Sequence, residues 1–420
     1  MSETLFTNVS VIDGTGAKPF DGAVLVRGNR IVAVTRGDMP EAGDAEIVDG
    51  GGATLMPGLI DAHAHLSFLD AATLGDINNL SAERHVLETA KNARKMLEHG
   101  FTSMFSGSSA RDNLEVALRD AIDTGDIPGP RLKAATRQMT VTGGFGDLGR
   151  DDAYSLVLDG PEAFRSACRA AARAGVDTFK IVPSAPGSGP DPLAEDTAMS
   201  DEEVAAVCAV ARQRNRMVAA HARSAEAVKM CVRNGVQVIY HATLADDEAK
   251  DMLEAERDRV FVAPAMGLPY GRLTEGEKYG VSTDDFTRAR AEKEIETVSE
   301  TMAELRKRGI RVLPGGDYGF KWNPHGRNAR DLAMFVELFG FSPLEAIQAA
   351  TQAGGELMGE PGRLGVIAEG AFADLLLVDG DPVADIALLQ DRERFLAVMK
   401  DGAFHTAPDP NRQARRVAAE

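Results

Sequence analysis

Two histidines separated by one residue, His63 and His65, lie within the stretch "LMPGLIDAHAHLSF". The apolar residues before them are typical of a buried β-strand, where an imidazole is costly unless a partner engages it. Side chains two residues apart point to the same side of a strand. We therefore predict that both histidines bind one metal ion.

Other ionisable residues occur in or directly after apolar segments. They are Lys180 in "DTFKIV", His221 after "MVAA", His241 after "VQVIY" and Asp317 after "IRVLPGG". Taken singly, each has an ordinary structural interpretation: a hydrogen-bonding histidine, a lysine that reaches solvent, or a turn aspartate. Four of the eight histidines, however, fall at predicted strand ends. This joint placement favours a metal site.

The elements that must position these residues form a repeating pattern. Apolar, β-branched segments occur at about 59–62, 101–105, 131–135, 177–182, 217–221, 236–241, 259–264 and 310–314. Amphipathic helical patterns, such as that of 161–176, separate most of them. Eight strands separated mainly by helices predict an α/β fold of the TIM or (β/α)₈ barrel type. Active sites of such barrels lie at the carboxyl ends of the strands, where these residues fall.

The two chain ends have a different sequence pattern from the middle of the chain. Residues 1–58 and 362–420 contain short alternating strands with Asp-Gly and Gly-Asn turns. We predict that both ends together form one small β-sandwich domain, and that residues 59–361 form the barrel.

The composition of the chain limits the kinds of partner that it is expected to bind. A formal net charge of −18 disfavours nucleic acid. No apolar run reaches the ~18 residues of a membrane span, and the N-terminus lacks a signal-peptide pattern. Cys168, Cys208 and Cys231 form no C-x-x-C pair and are interpreted as small buried side chains. We expect a cytoplasmic protein that acts on a small molecule, without a nucleic acid or membrane partner.

Five motifs taken together resemble those of the amidohydrolase superfamily, which are metal-dependent hydrolases on a distorted (β/α)₈ barrel. They are "PGLIDAHAHL", "TFKIV", "AAHARS", "IYHATL" and "PGGDYG", in that order. The later "GRLGVIAEGAFADLLLVDGDP" resembles the family's return into its β domain. The resemblance covers nearly the whole chain. It points to the prolidase-like and carboxypeptidase-like members, which include ochratoxin-hydrolysing amidases, and it implies a homo-oligomer.

The resemblance implies a site with two divalent metal ions. One ion would be bound by His63 and His65, the other by His221 and His241, with Lys180 bridging them as a CO₂-derived carbamate and Asp317 as both ligand and catalytic proton carrier. Imidazole and oxygen ligands suit Zn²⁺, with Mn²⁺ or Co²⁺ as alternatives. A hydroxide that bridges the metals would attack the substrate carbonyl.

One position departs from the subgroup pattern. Members commonly carry Thr-Gly-Gly-His after the third strand, where the histidine contacts the scissile group. This chain reads "TVTGGFGDLG", with Phe145 in place of the histidine. Either Phe145 stacks on an apolar or aromatic part of the substrate, or it simply packs.

Other residues are weaker candidates for substrate contact. Arg223 lies two residues after His221, so its guanidinium could bind a substrate carboxylate or form a structural ion pair. His325, in the loop after the eighth strand, could reach the substrate. Tyr240 precedes His241 directly and is expected to face the opposite side of the strand.

The leading functional hypothesis is hydrolysis of an amide bond in a dipeptide, an N-acyl amino acid or a similar amide. A carbamate, urea or lactone hydrolase with the same metal centre is the alternative. A non-catalytic scaffold relative should have gaps among the ligands, and none of the six expected ligand positions is missing.

Overall fold

The chain begins with β-strands and continues with alternating strands and helices. The computed structural model describes residues 3–37, 40–185, 196–281 and 284–409, without the side chains of 285–287. In this part of the chain the strands are β1 (Glu3–Val11), β2 (Phe20–Arg27), β3 (Arg30–Thr35), β4 (Glu46–Pro57), β5 (Leu59–Ala64), β6 (Phe101–Ser106), β7 (Arg131–Lys133), β8 (Gln138–Thr140), β9 (Ser155–Val157), β10 (Thr178–Ile181), β11 (Met217–Ser224), β12 (Val238–Leu244), β13 (Phe261–Ala263), β14 (Arg311–Val312), β15 (Leu375–Val378), β16 (Phe395–Lys400) and β17 (Ala403–Thr406). The helices are α1 (Ala82–Glu98), α2 (Leu114–Asp123), α3 (Pro161–Ala174), α4 (Asp201–Arg214), α5 (Ala225–Asn234), α6 (Asp247–Ala255), α7 (Gly267–Glu275), α8 (Asp285–Lys307), α9 (Arg330–Phe339), α10 (Pro343–Ala350) and α11 (Gln352–Leu357).

Strands from both chain ends form one sheet, as the fold prediction requires. Its order is β17-β16-β15-β4-β1-β2-β3, with β15 antiparallel to β4 and β1 parallel to β4. Side chains from both ends, among them Phe6, Leu55, Leu377 and Met399, share one buried core. The division of the chain at 58 and 362 stays a proposal, and residues 410–420 lie outside the described part.

The barrel strands are parallel and form two ladders. These are β5-β6-β7 and β14-β13-β12-β11-β10-β8-β9. One seam is bridged by Ala135 and Thr178, and at the other Ala62 N donates to the Pro314 carbonyl at 2.9 Å. Among the described strands no single hydrogen-bonded ladder closes into a ring, and in this sense the TIM barrel is distorted.

Every one of the eight predicted barrel strands overlaps an observed one, β5 to β7 and β10 to β14. The short β8 and β9, between the third and fourth of them, were not predicted, since three residues are too few to show a periodic pattern. They extend the second ladder beyond β10.

The helices begin and end where local chemistry favours it. Ser200 and Glu203 form a capping box at the start of α4, and α3 begins at Pro161 and ends before Gly175 in the left-handed conformation.

The cysteines on α3, α4 and α5 are buried and unpaired, which confirms their interpretation as small buried side chains. None of the described helices combines the length and apolar character that a membrane crossing requires.

Candidate metal centre

Three of the predicted ligands converge from the two ends of the barrel sequence. His63, His65 and Asp317 each place one donor atom within 4.8 Å of the others. His65 Nε2 lies 3.0 Å from Asp317 Oδ1. Lys180 Nζ, from β10, lies 3.5 Å from His63 Nε2. Strands β5 and β10 and the loop after β14 therefore meet at one buried point.

The remaining two histidines lie beside this group. The rings of His221 and His241 are 4.1 Å apart between centroids, and the His241 ring is 5.6 Å from that of His63. Both side chains are buried. All six side chains that the sequence singled out are thus collected at one end of the barrel.

The histidines are prepared to act as ligands. Burial lowers the pKa of His63, His221 and His241 well below the usual value, so these rings are neutral, as metal ligation requires. His65 Nδ1 lies 3.2 Å from the Ser108 carbonyl, and His221 Nε2 lies 3.3 Å from that of Ala185.

A ring nitrogen that donates to a carbonyl leaves the other nitrogen with its lone pair, as second contacts of metal-bound histidines do. His241 Nε2 is buried with no hydrogen-bond partner. An orphaned acceptor of this kind fits a cation, so the donor set suits a divalent metal.

Asp317 and Lys180 carry the complementary charge properties. Burial opposes ionisation of Asp317, but its two neighbouring histidines, His63 and His65, hold its pKa below the usual range, so it is a carboxylate. Burial lowers the pKa of Lys180 to about 7, against the opposing effect of Asp317. A large share of the amine is therefore neutral near pH 7, which is the form that reacts with CO₂.

The backbone is strained where two of these groups lie. Asp317 has a φ of 59° and His241 a φ of 75°, both in the left-handed region. Such conformations cost on the order of 1–3 kcal/mol in non-glycine residues and cluster at functional sites.

Residues 54–404 match the amidohydrolase family. The chain belongs to that family. Ochratoxinase of Aspergillus niger is 26% identical over 378 residues, which cover 84% of this chain and 76% of that protein.

Two solved structures extend the comparison to the fold. A prolidase complexed with N-methylphosphonate-L-proline has a TM-score of 0.86 and 27% identity, covering 97% of this chain and 100% of its own. A Xaa-Pro dipeptidase with methionine bound in the active site has a TM-score of 0.84 and 27% identity, again over 97% and 100%. The predicted superfamily and subgroup are confirmed. This amidohydrolase is a metal-dependent hydrolase that acts on C–N bonds.

The prediction for Tyr240 was wrong. Its ring stacks on His63 at 3.6 Å between centroids and 3° between planes, and Lys180 Nζ lies 4.2 Å from the same ring. Its hydroxyl donates to the Ala62 carbonyl at 3.1 Å. Strand alternation fails here because the backbone turns left-handed at His241, so both neighbours face the site.

The three substrate candidates have different surroundings. Phe145 is half-buried, with its ring 5.1 Å from that of His221. Arg223 is buried and pairs with Glu294 of α8, a residue that sequence patterns gave no reason to select. His325 uses both ring nitrogens within the protein, on Asp70 and on the His65 carbonyl, which leaves neither for a substrate.

A buried carboxyl group next to the site also escaped the sequence analysis. Glu115, at the start of α2, accepts a hydrogen bond from Ser67 Oγ at 3.0 Å, and Ser67 Oγ accepts one from Ala110 N at 2.8 Å. Burial raises the pKa of Glu115 to about 7. The Glu115 carboxyl group therefore supports the turn that follows His65.

Glu115→Gln should remove a loss of stability that the wild-type protein shows as the pH rises from about 4.5 to about 7. Above pH 4.5 the unfolded chain loses this proton, whereas the folded chain keeps it until about pH 7, so wild-type stability falls across that window. The stability of Glu115→Gln relative to wild type should therefore be up to roughly 3 kcal/mol higher at pH 8 than at pH 5.

Thermal unfolding of both proteins at the two pH values measures this difference. The exposed Glu369→Gln serves as control. An equal offset between Glu115→Gln and wild type at pH 5 and pH 8 would show that the buried carboxyl does not titrate in this range.

Proposed function

We propose that this chain is a binuclear metal-dependent hydrolase that cleaves an amide bond in a dipeptide, an N-acyl amino acid or a similar amide. The observation that carries the proposal is the convergence of four histidines, a lysine and a carboxylate at the carboxyl ends of the barrel strands. The prolidase and dipeptidase similarities over 97% of the chain support an amide substrate that contains an amino acid.

The ligands divide into two groups. His63, His65 and Asp317 would hold one divalent ion, and His221 and His241 the other. Lys180, as a carbamate, would link the two. Zn²⁺ suits this donor set, with Mn²⁺ or Co²⁺ as alternatives. When bound, the two ions supply an activated water at neutral pH and a Lewis acid for the carbonyl oxygen.

Asp317 would carry the proton of the reaction. Its low pKa keeps it ionised and able to accept the proton of the attacking water. The same carboxyl then delivers that proton to the leaving nitrogen as the C–N bond breaks. The products are a carboxylic acid and an amine.

Arg223 would bind the carboxylate of the amino-acid part of the substrate. It lies two residues after His221, remains a cation although burial lowers its pKa to about 10, and its Nε has no hydrogen-bond partner. Glu294 occupies one Nη group, so it competes with a substrate carboxylate for the guanidinium.

A specific observation favours a second candidate, an aryl carbamate, urea or lactone hydrolase with the same centre. Phe145 presents a half-exposed aromatic ring beside His221, where the subgroup pattern has a polar histidine. An aryl group could stack there. A panel of N-acyl amino acids and aryl carbamates separates the two candidates by the product released.

We further propose a cytoplasmic homo-oligomer. The unpaired state of all three cysteines suits a reducing compartment. The oligomer rests on the family resemblance, and size-exclusion chromatography with light scattering tests it.

Asp317→Asn should lower kcat for an N-acyl amino acid by about 10²–10⁴-fold, because the amide cannot accept or deliver the proton. Release of free amino acid by metal-loaded protein measures it. Asp374→Asn, a change at a buried carboxyl directly before β15, is the matched control. Equal activity of the Asp317→Asn and control variants would contradict the role, and no amino acid from wild type would contradict the leading function.

Arg223→Met should raise KM for an N-acyl amino acid about tenfold or more, because a charge-assisted hydrogen bond to the carboxylate is lost. The corresponding carboxamide substrate, which lacks the charge, should be affected little. Glu294→Gln should lower KM for the charged substrate, since the competing carboxylate is gone. Equal losses of Arg223→Met on both substrates would mean that Arg223 serves only to pack or to pair.

A further inference from the structure

The segment of residues 323–331, which reads "NPHGRNARD" and follows the loop of Asp317, is polar yet largely buried. Its side chains Asn323, His325, Asn328 and Asp331 are all at most 3% exposed. Polar groups at this depth need hydrogen-bond partners. Their partners are not distributed over the protein but fall next to the proposed metal ligands.

Two of these side chains hold the turn that carries Asp317. Asn323 Nδ2 donates to the carbonyls of Gly316 and Asp317 at 2.9 and 3.0 Å. Asp331 accepts from Gly315 N at 2.9 Å and from the Tyr318 hydroxyl at 2.7 Å. A left-handed aspartate such as Asp317 persists only where its surroundings fix it, and these contacts lie on both sides of it.

The other two side chains hold the strand end that carries the paired histidines. Asn328 Nδ2 donates to Asp61 Oδ2 at 2.6 Å, and Asp61 Oδ1 accepts from His63 N at 2.8 Å. His325 Nε2 lies 3.2 Å from the His65 carbonyl, and its Nδ1 lies 2.7 Å from Asp70 Oδ1.

All of these contacts share one property. Apart from the contact of His325 with Asp70, each reaches a proposed ligand through its backbone or through a nearby residue, and none uses the imidazole nitrogens of His63 and His65 or the carboxylate of Asp317. The segment therefore fixes where the ligands stand and leaves their donor atoms available.

We propose that residues 323–331 are the positioning element of the metal centre, with Asn323, His325, Asn328 and Asp331 fixing the relative placement of His63, His65 and Asp317. The inference rests on the metal centre of the proposed function. It also gives His325 a positioning role in place of substrate contact. Outer contacts of this kind change metal affinity by about 10–100-fold when they are removed.

Asn323→Asp tests this with a side chain of the same shape. The carboxylate cannot donate, so both hydrogen bonds to the Asp317 turn are lost. Asn234→Asp is the control, because Asn234 Nδ2 also donates to a backbone carbonyl, that of Met230 at 3.0 Å, and it lies at the end of α5, before the amino end of β12 and away from the proposed ligands. His325→Gln is a second variant, which decides the matter if Asn323→Asp does not fold.

The measurement is the rate at which Zn²⁺-loaded protein loses metal to a chelator, with Zn²⁺ content and thermal unfolding recorded on the same samples. Asn323→Asp and His325→Gln should release Zn²⁺ at least tenfold faster than wild type. Asn234→Asp should release it at the wild-type rate even where its melting temperature falls by as much.

Release from the folded variants at the wild-type rate, or equal acceleration in Asn234→Asp, would overturn the proposal. A wild-type protein that holds Zn²⁺ but hydrolyses no amide contradicts the proposed function alone, and the release rates still decide the positioning role. A wild-type protein that binds no Zn²⁺ overturns both.

Discussion

The burial of four imidazoles, one amine and one carboxylate at a single point is the constraint on which the rest of the structure depends. Desolvation keeps His63, His221 and His241 neutral and makes much of Lys180 neutral, while Asp317 stays charged. Such a group has more lone pairs than donors, and His241 Nε2 is left without a partner. A bound cation would accept these lone pairs. In a cleft filled with water the same groups would be hydrated, and no such imbalance would arise.

The barrel strands bring the candidate ligand side chains together, and hydrogen bonds from residues outside the strands fix their exact positions. Parallel strands bring their carboxyl ends to one rim, so ligands far apart in sequence become neighbours. The strands alone do not place Asp317, which lies beyond β14 in a left-handed turn. In our proposal that placement comes from the buried segment 323–331, while Tyr240 supports the His63 ring by stacking on it.

Sequence patterns selected the side chains that the structure brings together because their signal is local: period-two spacing for His63 and His65, and a polar residue after an apolar strand for His221 and His241. They failed where the backbone leaves the regular geometry, as at Tyr240. The sequence places "NPHGRNARD" in a loop and gives no sign of its burial, which depends on partners such as Asp61 and Asp70 that are distant in sequence. The pairing of Arg223 with Glu294 is equally long-range.

Anomalous diffraction from crystals of the Zn²⁺-loaded protein tests the central claim most directly. The account predicts two peaks, one contacted by His63, His65 and Asp317 and one by His221 and His241, with extra density extending Lys180 Nζ between them. A map with no peak at these side chains, or with an unextended lysine and a single ion bound elsewhere, would contradict it.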